Sequence, residues 1–333
     1  MKYYLRLNLI IASLMLFSST LELAAQESKL QFREDGTFTI AQFTDTHFYL
    51  GGENSQEVLD NMKEVLENEG VDLVILTGDI VTGKPTMKSW EVLSDLLISY
   101  KTPYTVTFGN HEDEAEASRE ELLSYLSERP YCLISDQGGM QVKGIGNHIL
   151  PLYNEKGVAE KLIYCMDSRS YSLAKDQGVE GYGWFDQSQI RWFTENNEKW
   201  LSKNPEIQAL LFFHIPLHEY AQAFDHGDFK LGKRKEKECS PKINTGMFAE
   251  MVLQRNVLGT FVGHDHVNNY VAQLHNIALC YGYFSGGNSY GSRPLNGARL
   301  IQMETGKKTF TTWLRRMDGE VFNRVELPTA ANP

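Results

Sequence analysis

Five short polar clusters sit where hydrophobic runs end: Asp45-Thr46-His47, Gly78-Asp79, Gly109-Asn110-His111-Glu112, His214 and Gly263-His264-Asp265-His266. Together they offer oxygen and nitrogen donors and no thiolate. Imidazole takes zinc or iron, and carboxylate takes manganese, magnesium or iron, so the set suits two neighbouring divalent or trivalent cations. Two cations held close together are a device for hydrolysing phosphate esters. A lone Asp or His after a strand is usually a turn or cap residue, whereas several in succession at strand ends are rarely accidental.

The elements that must position these clusters follow from periodicity. Residues 37–44 read as a strand ending at Asp45. Residues 54–69 carry Val58, Leu59, Met62, Val65 and Leu66 at helical spacing. Residues 71–77 form a continuous apolar, β-branched run of the kind a buried parallel strand shows, and it ends at Gly78-Asp79. A helix over 90–98, a strand over 104–108 and a helix over 115–127 complete a β-α-β-α-β pattern. Its polar clusters all fall at the C-terminal ends of strands, where open α/β sheets hold their ligands.

Further on, residues 131–166 read as several strands with glycine-rich turns, 186–201 as a helix, and 208–213 as a buried strand delivering His214. A helix over 247–253 precedes a strand over 258–262 that delivers His264 and His266. Strands are expected at 270–274, 277–281, 298–303 and 309–314, and the charge run at 230–238 reads as a solvated loop. With no repeat and no low-complexity linker, one catalytic domain over 36–320 is the simpler organisation.

A chain of 333 residues with 42% hydrophobic content can bury a substantial core. Its net charge of −11 argues against a nucleic-acid partner, which would need a basic face to neutralise phosphates. It does not exclude a small phosphorylated substrate, because bound cations reverse the local potential of a carboxylate-rich site. Lys2 and Arg6 precede an apolar stretch, Leu7 to Phe17, and the small pair Ala24-Ala25 follows. That is the layout of a signal peptide over residues 1–25, which implies a secreted or periplasmic protein. No second apolar run reaches about 18 residues, so no stable membrane insertion is expected after cleavage. The cysteines, Cys132, Cys165, Cys239 and Cys280, form no C-x-x-C pair, and Cys165 and Cys280 read as buried small hydrophobes.

In this order the motifs resemble the calcineurin-like metallophosphoesterase superfamily over residues 36–316, nearest its short purple-acid-phosphatase-like branch. The shared stretches include Ser118-Arg119-Glu120, Gly181-Tyr182-Gly183-Trp184, Phe213-His214-Ile215-Pro216-Leu217 with Glu219-Tyr220, and Gly263-His264-Asp265-His266-Val267-Asn268. The resemblance implies a four-layer α/β/β/α sandwich of two mixed sheets. It implies that Asp45, His47 and His266 hold one metal, that Asn110, His214 and His264 hold a second, and that Asp79 bridges both. The metal pair would be of Fe, Zn or Mn. The implied reaction is hydrolysis of a phosphomonoester by a metal-bridging hydroxide in direct attack, with His111 as general acid and transition-state donor.

Glu112 would either orient His111 or serve as a helix N-terminal carboxylate. Asn110, His111 and His218 are candidate substrate contacts, and Arg119 would contact phosphate or pair within its helix. Tyr182, Trp184 and Tyr220 would line a pocket or pack, while His148, His226 and His275 read as surface or satisfied histidines. The family's purple members carry a tyrosine three residues beyond the bridging aspartate and a glycine in the first motif. Here those positions are Thr82 and His47, which implies a colourless centre. Alternative readings are a phosphodiesterase acting on cyclic nucleotides or glycerophosphodiesters, and a non-catalytic metal-binding relative.

Overall fold

The computed structural model describes residues 29–291 and 296–329; the expected leader over 1–25 lies outside the described residues. The apolar runs of the first half make the parallel centre of one sheet, with strands numbered in chain order. β2 (Thr37–Phe43), β3 (Leu73–Thr77) and β4 (Tyr104–Thr107) pair in parallel. The crossovers are α1 (Ser55–Asn68) and α2 (Thr86–Ser99), whose Val58, Met62, Val65, Trp90, Leu93 and Leu97 cover that sheet. A third helix, α3 (Arg119–Ser127), starts at a capping box in which Ser118 and Glu121 each satisfy the other's backbone N–H. On the far side of β2 the sheet continues antiparallel through β12 (Gly297–Glu304), β13 (Phe310–Arg316) and β14 (Val321–Leu327).

The second sheet runs in the order β1 (Leu30–Gln31), β5 (His148–Tyr153), β6 (Ala159–Cys165), β7 (Gln208–Phe212), β9 (Val257–Val262), β11 (Ile277–Tyr281), β10 (Val271–Leu274) and β8 (Phe229–Leu231). Its centre, from β6 to β11, is parallel, while β5 joins β6, and β10 joins β11 and β8, antiparallel. Alternation along β7 decides what each face meets. Ala209, Leu211 and Phe213 pack under α4 (Gln187–Lys203), α5 (Glu219–His226) and α6 (Met247–Gln254) with Phe193, Tyr220 and Met251. Phe212 points the other way, stacks on Phe261 at 4.7 Å, and Phe261 meets Phe310 of the first sheet at 5.4 Å. Gly259 permits this approach, since a Cβ there would stand 3.1 Å from the Phe310 ring. The layers are therefore helix, sheet, sheet and helix, as the resemblance implied.

Most expected elements form within a few residues of their expected limits. Three differences have physical causes. Residues 131–147 make no strand, because glycine turns and a short 3-10 turn at Gly139–Gln141 occupy them. The last sheet strand, β14, lies beyond the expected limit at 320; of its residues only Leu327 is buried, which is the pattern of an edge. The charge run at 230–238 is not simply solvated: it begins in β8, and buried Glu238 accepts from Tyr270 Oη at 2.6 Å. Helix α5 was not expected at all. All four cysteines are free, with Cys165 and Cys280 buried, and no helix among the described residues is long and apolar enough to cross a membrane.

Candidate metal centre

Five strand ends converge. From the first sheet, β2 delivers Asp45 and His47, β3 delivers Asp79, and β4 delivers Asn110 and His111. From the second, β7 delivers His214, and β9 delivers His264 and His266. Asp45, His47, Asp79 and His264 have φ of 54°, 41°, 53° and 76°. This left-handed backbone costs non-glycine residues about 1–3 kcal/mol each, and it turns the side chains out of strand alternation. That is why His264 and His266, two apart, diverge. The glycines preceding ligands leave the room this needs. A Cβ at Gly109 would meet Asp79 Oδ1 at 2.3 Å, one at Gly78 would meet His214 Nδ1 at 2.5 Å, and one at Gly263 would meet Thr44 Oγ1 at 1.9 Å.

Asp45, His47 and His266 form one buried triad able to hold a cation, and Asp79, His214 and His264 form another, each with its donor atoms within 4.8 Å of one another. His47 Nε2 lies 3.2 Å from His266 Nε2, which lies 3.3 Å from Asp45 Oδ1. In the second triad His214 Nε2 lies 3.1 Å from Asp79 Oδ2 and 3.3 Å from His264 Nδ1. Two donors about 2.1 Å from one cation, at octahedral to tetrahedral angles, stand about 3.0–3.4 Å apart. The spacings therefore match ligands sharing an ion. Asp79 Oδ2 is also 4.0 Å from His47 Nε2, so this carboxylate faces both triads. The buried Asn110 Oδ1 has no hydrogen-bond partner, which is costly unless something else satisfies it. The donor set fits two cations.

Hydrogen bonds behind the triads fix the tautomers. His214 Nδ1 donates to the Thr77 carbonyl at 2.8 Å and His266 Nδ1 to the Tyr290 carbonyl at 2.6 Å, which turns Nε2 of each toward the carboxylates and makes it the ligand atom available to a cation. His266 is also stacked between Tyr290 and Phe284, at 4.0 and 5.0 Å. His47 Nδ1 is 3.2 Å from Thr82 Oγ1. Asp45 accepts from Thr44 Oγ1 at 2.7 Å and from the His264 backbone at 3.0 Å. Burial opposes ionisation of Asp45, yet His266 and His214 hold its carboxyl down at about 2. Asp79 is likewise lowered, against burial, chiefly by His214. Burial opposes a charge on His214, but Asp79 and Asp45 carry it up to about 10. The two carboxylates thus draw positive charge into a dry site.

His111 is half-buried beside the triads. Its Nε2 lies 4.0 Å from Asp79 Oδ2, and its Nδ1 meets Glu114 Oε2 at 2.5 Å. Glu114 also accepts from Tyr171 Oη at 2.7 Å, so it is Glu114, not Glu112, that orients the ring. Glu112 is not a helix cap either: fully buried, it accepts from the backbones of Asp79 at 3.0 Å, Ile80 at 2.6 Å and Gly109 at 2.7 Å, tying two ligand loops together. Arg119 turns from phosphate to structure, pairing with Asp167 at 2.7 Å and donating to the Gly109 carbonyl. Tyr182 sets its edge against His264 at 4.3 Å, whereas Tyr220 is packed and bonded to Thr260. His218 stands at the start of α5 in a small cleft with Trp184 and Ile243 that contains none of the ligand set. His148 is buried and satisfied by Thr105 and Gly146, and His226 and His275 are exposed. Glu114, Tyr171, Thr44 and Tyr290 carry no positional signal in the sequence, because each reaches the centre from a loop or through its backbone.

The family model for calcineurin-like phosphoesterases matches residues 38–268. The chain is 30% identical to the Arabidopsis thaliana protein named probable inactive purple acid phosphatase 28, over 89% of this chain and 84% of that one. It is 27% identical to phosphatase DCR2 of Saccharomyces cerevisiae, over 89% of this chain and 57% of that one. Among solved structures it resembles a dimetal phosphatase from Danio rerio with a TM-score of 0.62 at 14% identity, covering 87% of this chain and 98% of that one.

Proposed function

Because the chain belongs to the calcineurin-like phosphoesterase family, we propose that it is a metal-dependent phosphoric ester hydrolase acting on phosphomonoesters. The observation that carries this reading is the pair of buried His/Asp triads meeting at Asp79. Asp45, His47 and His266 would hold one cation, Asn110, His214 and His264 the other, and Asp79 both. When bound, the cations would supply an activated water and neutralise phosphoryl charge. Asn110 contributes a neutral oxygen, which keeps the centre net positive for an anionic substrate. His111 would donate from Nε2 to the leaving oxygen, since Nδ1 is engaged by Glu114. The donor chemistry suits Fe, Zn or Mn. The layout of residues 1–25 supports export to the periplasm or medium, which N-terminal mass spectrometry of the mature protein tests.

The experiment is to load the purified chain with Mn, Zn or Fe and compare nitrophenyl phosphate with bis-nitrophenyl phosphate, using Asp79→Asn as the control. Turnover of the monoester that disappears in Asp79→Asn supports the reading. A strong preference for the diester replaces it with the phosphodiesterase reading. The name of the Arabidopsis relative favours a third reading, a metal-binding protein without turnover. Two bound ions with no hydrolysis of either ester would establish that one. The full donor set in this chain weighs against it.

A further inference from the structure

A groove of about 800 Å³ opens beside the metal centre and is not accounted for by the ligands or by His111. It shares a wall with them. Ser170 Oγ donates to the Asn110 carbonyl at 3.1 Å, and Tyr171 Oη lies between Asn110 Nδ2, at 3.4 Å, and Glu114. Trp184, Met140 and Leu173 also line the groove. Met140 and Leu173 are the most exposed large apolar side chains among the described residues, at 105% and 87%. Apolar side chains held in water along one groove mark a contact surface, and the volume is that of a small-molecule site.

Charge decides what kind of molecule fits. The buried Arg119–Asp167 pair is internally compensated. Along the lining, the acids Asp113, Glu120, Asp136, Asp167 and Asp186 outnumber the bases Arg119, Lys143 and Arg169, even with Arg119 paired to Asp167 and Asp113. A leaving group carrying its own phosphate or carboxylate would be repelled, while an uncharged apolar one would bury Met140, Leu173 and the Trp184 face. Burying apolar surface is favourable at about 25 cal/mol per Å². Resting on the phosphoesterase reading above, we propose that this groove receives the ester group of the substrate, and that it selects phosphomonoesters of uncharged aryl or long-chain alkyl alcohols over sugar phosphates and nucleotides.

The test is calorimetric binding of non-hydrolysable phosphonates to the metal-loaded full chain. Methylphosphonate occupies the centre alone, while naphthylmethylphosphonate and octylphosphonate extend into the groove and separate an aryl from an alkyl source. At least one extended ligand is expected to bind about tenfold or more tightly than methylphosphonate, the scale of a partly buried apolar group. In Met140→Ser/Leu173→Ser that ratio should fall to about threefold or less. Leu253→Ser, which removes an exposed leucine elsewhere, should leave it unchanged. Equal affinities for all three phosphonates overturn the groove while leaving the metallophosphoesterase reading intact. Failure of the metal-loaded protein to bind any phosphonate overturns both.

Discussion

His47 Nδ1 and Thr82 Oγ1 face each other at 3.2 Å, so the position three residues past Asp79 serves to hold an imidazole. A purple centre would need a phenolate there. Protein loaded with iron should therefore show no intense violet-purple charge-transfer band. Absorption spectra of iron-reconstituted protein check this, and such a band would refute the His47–Thr82 assignment.

Glu112 accepts three backbone N–H groups from two separate ligand loops. Glu112→Ala would strand buried donors at a cost on the order of 3 kcal/mol. Glu112→Gln, which keeps an acceptor oxygen, should cost less. Urea denaturation of both variants measures the difference; equal losses would show that volume, not hydrogen bonding, matters at this position.

His111 can donate only while protonated. Burial lowers its pKa, but Asp79 and Glu114 more than offset this and lift it above the ordinary 6.5. Turnover should therefore fall as pH rises through a value above 6.5. Glu114→Gln should move that limb to lower pH, while His111→Asn should cost about 10²–10⁴ in rate and remove the limb. The pH profile of kcat/KM in the two variants is the measurement.

Cation binding should stabilise the fold, because the triads form only in the folded chain. At about 100 times the dissociation constant an ion contributes about 2.7 kcal/mol. Chelation should lower the melting temperature, and His264→Ala should reduce both the metal content and this difference. A melting temperature indifferent to chelator would remove the support for bound ions.

His148 lies far from that chemistry in the chain's pattern but governs an acid response. Burial depresses its pKa from 6.5 to about 4, and the neutral ring bridges Gly146 and Thr105. Between those values the unfolded chain takes up a proton that the folded chain refuses, so stability falls as pH drops from 6.5 to about 4. The loss attributable to this group is on the order of 3 kcal/mol. Denaturant titrations across that range should be flatter in His148→Gln.

The strand-end donors marked most plainly are those signalled twice, by a preceding apolar run and by a glycine. Gly78-Asp79, Gly109-Asn110 and Gly263-His264 show both, and the glycines prove to be steric necessities. Glu112 is visible as a residue but not as a tie, because two of its three partners lie 32 and 33 positions earlier and all are backbone groups without any residue signature. Glu114 and Tyr171 meet only through folding of two loops. The edge strand β14 and the helix α5 were missed for a related reason. Edge and rim elements take their stability from neighbours, and their own patterns are weak.

The first sheet ends in Asp45, His47, Asp79 and Asn110, and the second in His214, His264 and His266. Neither layer could capture an ion pair alone. The centre thus acts as a clasp across the seam between the sheets, and occupancy would report whether the two halves of the molecule are correctly seated. Damage along that seam, even at Gly259 or Phe310 where the sheets pack together, would register as a slackened grip on the ions.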